Sequence, residues 1–211
     1  MGRHREFDLD VALEAALRVF WEKGYEGTSF DDLTEATGVV RPGLYSAFGN
    51  KEALFLKALD RYDHTYTAYF AEALAQPTAK EVARHILEGS VNLVTCYAKS
   101  PGCMSVNGAL GCSDHSASIR DELFKRRDAA QQALQDRLAR AQAEGDLRAD
   151  ADCAMLAGYI MAVTHGLAVQ AKAGLSRPAL MAIARHALST WPPATADRVT
   201  LRRTARPKNR P

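Results

Sequence analysis

The residues best equipped for chemistry crowd one stretch, Ser100-Pro-Gly-Cys-Met-Ser-Val-Asn-Gly-Ala-Leu-Gly-Cys-Ser-Asp-His115. It holds two thiols, a thioether, an amide and an imidazole, and Cys96 lies just before it. Soft sulfur ligands suit Cu(I) or Zn(II), and exposed thiols suit redox or electrophile sensing. The spacing from Cys103 to Cys112 matches no closed zinc motif. Cysteine is also among the most buried residue types, so whether Cys96, Cys103 and Cys112 are structural, redox-active or metal-binding stays open. No metal or cofactor is expected. Catalysis has little to stand on: the chain lacks a nucleophile elbow, a phosphate loop and a metalloprotease histidine pair, and Asp114-His115 beside cysteines makes a poor catalytic case.

Composition narrows the class. Of 211 residues, 47% are hydrophobic and 25% charged, the balance of an ordinary soluble protein. No apolar run in the sequence approaches the roughly 18–20 residues a membrane span needs, so no membrane partner is expected. The start, Met1 to Asp8, turns acidic before any apolar stretch and so lacks the order of a signal peptide. Four irregularly spaced cysteines (Cys96, Cys103, Cys112, Cys153) do not form a secreted disulfide framework, which fits a reducing compartment. These features place the chain in the cytoplasm. Net charge is +2, but Arg198, Arg202, Arg203, Arg206, Lys208 and Arg210 crowd the end, and the body without them is mildly acidic. Charge alone does not point to a nucleic acid.

The elements that must position these residues are all helical. Leu9, Leu13, Ala16, Leu17 and Phe20 recur at three- and four-residue steps behind a capping Asp8, which predicts a helix over about 9–23, ended by Gly24. Thr28 or Ser29 caps a short helix from Phe30 to Thr37, with Asp31 and Asp32 in the first turn, where the helix dipole favours negative charge. Gly38 stops it. Pro42 suits the first turn of a third helix reaching Phe48. From Lys51 the spacing of Leu54, Phe55, Ala58, Leu59, Tyr62, Tyr66, Tyr69 and Phe70 predicts one long helix through residue 75. Breaks at proline and glycine separate further helices over about 79–98, 103–110, 117–144, 151–173 and 178–190.

The stretch from Gly24 to Leu54 carries the function. Two short helices joined by a glycine turn can cross steeply, so that the second enters a major groove. Leu33, Ala36, Val39 and Leu44 supply the crossing and Gly38 the turn. The ordered set Gly24-Tyr25, Thr28-Ser29, Ala36-Thr37-Gly38-Val39, Leu44-Tyr45, Phe48 and Lys51-Glu52-Ala53-Leu54 resembles the DNA-binding domain of the TetR family of bacterial regulators, over residues 9–62. That resemblance implies an all-α fold: a three-helix helix-turn-helix domain (1–50), then a larger ligand-binding and dimerisation domain (51–192) whose first helix (51–75) links the two. Residues 193–211 read as a basic, disordered tail.

The resemblance also implies roles. Arg41, Gly43 and Tyr45 would face the groove and phosphates, with Val40, Pro42 and Ser46 beside them. Thr28 and Ser29 would offer N–H and hydroxyl groups to a phosphate, and Lys51 would pin the backbone. Only Arg41 has the bidentate geometry that reads guanine O6 and N7. Pro42 departs from the small or hydrophilic residue usual there and removes an N–H from the first turn.

In the larger domain, Gly158, Ala162 and Gly166 at four-residue steps allow close helix approach, and the resemblance implies that the last two helices pair with their mates in a homodimer. Helical faces place an effector among Tyr66, Phe70, Val91, Val94, Cys103, Met104, Asn107, Phe124, Met155, Tyr159 and Met161. The expected protein is a DNA-binding regulator, a repressor released from a double-stranded operator by a small molecule or a thiol-reactive signal. The alternative is a helical adaptor that does not bind DNA.

Overall fold

A computed structural model describes residues 7–97, 101–110 and 116–192, which form helices and no strand. The helices are α1 (Leu9–Lys23), α2 (Phe30–Thr37), α3 (Arg41–Phe48), α4 (Lys51–Thr65), α5 (Tyr69–Leu74), α6 (Ala79–Thr95), α7 (Met104–Leu110), α8 (Ala117–Ala143), α9 (Cys153–Lys172) and α10 (Arg177–Ser189). The basic tail and Cys112, Asp114 and His115 lie outside the described residues.

Local chemistry sets the first boundaries. Asp8 caps α1 by accepting from the backbone N–H groups of Asp10 and Val11. Ser29 and Asp32 close α2 reciprocally as a capping box. Gly38 ends α2 at φ 68°, a left-handed conformation that costs a side-chain-bearing residue strain, and so turns the chain sharply into α3. Leu33, Val39 and Leu44 are buried where α2 and α3 meet, whereas Ala36 is exposed and is not part of the crossing.

The expected single helix over 51–75 is two helices. α4 ends at Thr65, and the chain bends through Tyr66 to Ala68 before α5 begins. Aromatic groups with different partners explain the break. The Tyr66 hydroxyl donates to Glu14 on α1 at 2.6 Å, while Tyr69 packs its ring against Gly89 on α6. A straight helix cannot serve both. The Thr67 hydroxyl holds the bend by donating to the Asp63 carbonyl at 2.9 Å.

Two apolar cores result. The first gathers Phe20, Trp21, Leu33, Leu44 and Phe48 with Leu54, Phe55, Leu59 and Tyr62 of α4, and reaches Met104 and Leu123. By packing, α4 therefore belongs to the first core. The second core lies among α5, α6, α8, α9 and α10. Among the described residues α9 is long and apolar enough to cross a membrane by length and composition. It instead serves as a core helix, burying Leu156, Ala157, Ile160, Leu167 and Ala168 against its neighbours.

Candidate nucleic-acid interface and effector cavity

Helix α3 presents an exposed edge. Val40 is 71% and Tyr45 41% exposed, and Arg41, Pro42 and Ser46 are exposed beside them. No side chain caps the start of α3, so its positive end is left to an outside anion. The Arg41 guanidinium rests 4.3 Å over the Phe30 ring and donates to the Tyr45 hydroxyl at 3.1 Å, while Phe30 and Tyr45 stack at 4.8 Å. An exposed cation–π contact is worth only about 0.5–1 kcal/mol, so this shelf holds Arg41 loosely. Phe30 had no place in the sequence reading. Its signal is an apolar residue at the first position of α2, just behind the cap.

Gly43 sits tight as well as near the surface: a Cβ there would come 2.9 Å from Val39 Cγ1. Glycine at this position seats α3 on the turn. The hydroxyls expected to meet a phosphate are otherwise engaged. Thr28 is 1% exposed and donates to the Gly24 carbonyl at 2.6 Å, so its side chain faces inward. The Ser29 N–H and hydroxyl both donate to the Asp32 carboxylate at 2.8 Å. Lys23 at 2.6 Å from Asp32, with the Ser29 bonds, holds that carboxyl well below the usual carboxylate range. Lys51 places its ammonium 4.5 Å over the Tyr25 ring, and burial pushes its pKa below the ordinary value.

Behind this head lies a cavity of about 220 Å³. Of the residues expected to line it, Phe70, Val94, Cys103 and Met161 do; Tyr66, Val91, Met104, Asn107, Phe124, Met155 and Tyr159 do not. Val91 and Met104 are filled core, Tyr66 is turned toward α1, and Asn107 keeps a buried amide nitrogen without a partner near Gly102. Phe124, Met155 and Tyr159 are 44%, 57% and 38% exposed and face outward. α9 is apolar around most of its circumference, so periodicity could not say which face pointed inward.

The missed wall is polar: Asp63, Ser90, Ser105, Arg126, Arg127, Thr164 and His165. A signal was present in the sequence. Ile119, Leu123, Arg127, Ala130 and Leu134 follow one another at helical steps, so Arg127 interrupts the inward stripe of α8.

Two polar clusters hold α4 beside the cavity. Glu14 of α1 accepts from Tyr66 at 2.6 Å, Arg61 at 3.0 Å and Arg18 at 3.3 Å. Burial would raise its pKa, and these three bonds outweigh that and lower it. Arg126 of α8 pairs with Asp63 at 2.6 Å, Asp60 at 2.7 Å and Glu122 at 2.9 Å. The Tyr62 hydroxyl donates to Cys103 Sγ and accepts from the Met104 N–H, both at 3.3 Å. Trp21 Nε1 donates to the Gly102 carbonyl at 3.0 Å, and its ring meets Tyr62 edge-on at 4.8 Å. The wall that carries Cys103 is thus bonded directly to α1 and α4. Cys96, Cys103 and Cys153 are free thiols, and among the described residues no three His, Cys, Asp or Glu side chains gather as a metal site.

Comparison with known proteins agrees with this geometry. Residues 12–58 match a family model described as bacterial regulatory proteins, tetR family, and residues 82–188 match one described as tetracyclin repressor-like, C-terminal domain. The chain is 35% identical over 194 residues to the HTH-type transcriptional repressor ComR of Escherichia coli (strain K12), covering 90% of this chain and 92% of that one. It is 34% identical over 162 residues to the uncharacterized HTH-type transcriptional regulator YezE of Bacillus subtilis (strain 168), covering 76% and 84%. Among solved structures it is similar to a cysteine-substituted variant of the TetR family transcriptional regulator CifR complexed with 26-base-pair double-strand operator DNA, at 40% identity and a TM-score of 0.85, covering 90% of this chain and 100% of that one.

Proposed function

The chain belongs to the TetR family of bacterial regulatory proteins, a family of transcriptional regulators and not of enzymes, and from that premise we propose that it is a repressor whose operator is released when a small molecule fills the cavity beside α4. One observation carries the release step: the end of α4 and the bend after it, through Asp63 and Thr67, form part of the cavity wall, while the rest of α4 packs against α1. A ligand that bears on those turns moves the helix that carries the DNA-binding head.

In this reading Arg41 reads a base, Tyr45 and the open start of α3 meet phosphates, Val40, Pro42, Gly43 and Ser46 shape the contact surface, and Lys51 supports the backbone. The side chains of Thr28 and Ser29 are left with holding α2. Residues up to Phe48 form the reading head, α4 the transmitter, and α5 to α10 the effector and dimer body. Two such heads need a symmetric partner to meet successive major grooves. The free apolar stripe of Met155, Tyr159, Ala162, Gly166 and Val169 on α9, beside Ile183 on α10, supplies a surface for it. A Cβ at Gly166 would meet nothing within 4 Å, so packing inside the subunit does not require that glycine and a close helix from a partner does. The protein acts where its operator is, in the cytoplasm.

The experiment is selection from a random duplex library by the purified full chain at moderate salt. Enrichment of a near-palindrome is expected. A folded dimer that enriches no sequence would overturn the assignment and favour a helical adaptor.

A further inference from the structure

We infer that the effector is a small organic carboxylate with an apolar body, held by Arg127. The inference rests on the cavity being the effector site and goes on to name the chemistry that fits it.

Arg127 lines the cavity, and its Nε is buried with no acceptor. Among the described residues its Nη2 reaches only the Ser105 carbonyl, at a long 3.4 Å, and its guanidinium stands 5.6 Å from the Phe124 ring. Among the described residues it pairs with no carboxylate, whereas its neighbour Arg126 has three. Arg137, the other arginine in the inward stripe of α8, also keeps one buried nitrogen, Nη1, without a partner, but it donates to the carbonyls of Leu74 and Gln76 at 3.0 and 2.6 Å and so ties down the end of α5. Arg127 performs no such closure. A guanidinium whose Nε lies out of water without an acceptor carries a desolvation cost that an incoming acceptor relieves.

The charges on the wall point the same way. Arg126 and Arg127 face one carboxylate, Asp63, which Arg126 already holds. His165, also on the wall, has its pKa lowered by burial and by the Arg127 charge, so it favours the neutral form and adds no charge. Asp60, Asp63 and Glu122 all gather on Arg126, which leaves Arg127 as the guanidinium on the wall that a ligand carboxylate would pair. The planar guanidinium fork meets a carboxylate through a pair of its nitrogens. The lining also carries an apolar set, Phe70, Ile86, Leu93, Val94 and Met161. Size sets the rest: a 150 Å³ apolar cavity accommodates benzene, so the 220 Å³ here corresponds in proportion to about nine non-hydrogen atoms.

The test titrates hexanoate, benzoate and phenylacetate, each beside its neutral primary amide, into the full-length dimer by calorimetry, and in parallel into its complex with the selected operator by fluorescence anisotropy. At least one carboxylate is expected to bind tenfold or more tightly than its amide. Arg127→Gln should erase that preference by weakening acid binding far more than amide binding, while Arg127→Lys, which keeps the cation, should retain part of it. Equal binding of acid and amide, an Arg127→Gln variant that keeps the preference, or no binding by any of the three acids would overturn the inference. Operator binding without ligand separates the two readings. A protein that binds its operator but none of the acids sinks the inference alone, and an acid that binds through Arg127 without releasing DNA upholds it while sinking the release step.

Discussion

Replacing Arg41 by lysine separates base reading from charge. In the free protein the substitution exchanges a guanidinium stacked 4.3 Å over Phe30 for an ammonium, and with it loses the 3.1 Å bond to Tyr45. An exposed contact of this kind is worth about 0.5–1 kcal/mol. For a chain of this size that lowers the melting temperature by no more than about 4 °C. In the complex, a bidentate arginine–guanine pair contributes about 1–3 kcal/mol of discrimination, hence about 2–6 kcal/mol for the two half-sites of a dimer. Leaving two aromatic shelves takes back about 1–2 kcal/mol. Taking the middle of each range, the net loss on Arg41→Lys is about 2.5 kcal/mol, roughly a seventyfold fall in affinity for the selected operator. Anisotropy titrations at several salt concentrations check this, with the operator and with a duplex whose contacted guanine is changed in both half-sites. The charge survives, so the salt slope should match the wild type. The variant should bind the altered duplex as well as the wild type does. A lysine variant that keeps both affinity and discrimination would refute Arg41 as the base reader.

Trp21→Phe leaves the Gly102 carbonyl buried without its donor and removes one ring, which should cost about 2–4 kcal/mol in urea unfolding at fixed protomer concentration. An unchanged urea midpoint would show that the α1 contact to the cavity wall is idle. Gly89→Ala drives a methyl into the Tyr69 ring, and the overpacking, about 1–3 kcal/mol, should exceed the helix-propensity gain of about 1 kcal/mol. Its unfolding midpoint should fall, and a rise would mean the ring is free to move. Asp32 has its pKa depressed by Lys23 and by the Ser29 bonds. Its contribution to stability is therefore present above the ordinary aspartate value of about 3.9 and is lost as pH falls toward the depressed folded value. Asp32→Asn should accordingly melt earlier than the wild type near neutral pH, with the gap closing in acid. A gap that is constant with pH would remove the ionic account of the α2 cap.

The sequence made the reading head legible because its signals are local. Caps at Asp8 and Ser29, the left-handed turn at Gly38 and the proline at the start of α3 each fix a boundary within a few residues. What failed depended on distant partners. Nothing near Thr65 announces that Tyr66 turns to Glu14 while Tyr69 turns to Gly89, so the long helix was drawn through its own break. The cavity failed for a related reason. Met155 and Tyr159 are apolar as Leu156 and Ile160 are, and only packing within the subunit, which buries the second pair, tells the two faces of α9 apart. Polar walls were missed by a search for apolar faces, although Arg127 in register with Leu123 and Leu134 was a local anomaly open to reading. Cys103, picked out for its chemistry, does line the cavity and accepts from Tyr62.

Placement of the soft and stiff contacts around α4 says how a ligand could work the head. The Arg126 cluster that ties α8 to Asp60 and Asp63 is partly exposed, and such pairs are worth about 0–1 kcal/mol each. Phe20, Trp21, Phe55 and Tyr62 are fully buried and interlocked edge-to-face, at 5.1 Å for Phe20–Phe55 and 4.8 Å for Trp21–Tyr62. Close-packed interiors of this kind transmit displacement and do not absorb it. A displacement at Asp63 and Thr67 would therefore be met first by the ion pairs, with α1 and α4 moving as one packed unit. Lowering operator affinity a hundredfold needs a ligand that prefers the displaced state by about 2.7 kcal/mol, less than the cost commonly attached to one unsatisfied buried charged group. A ligand bond to Arg127 would contribute to that figure only by the amount that it is stronger in the displaced state than in the DNA-bound one.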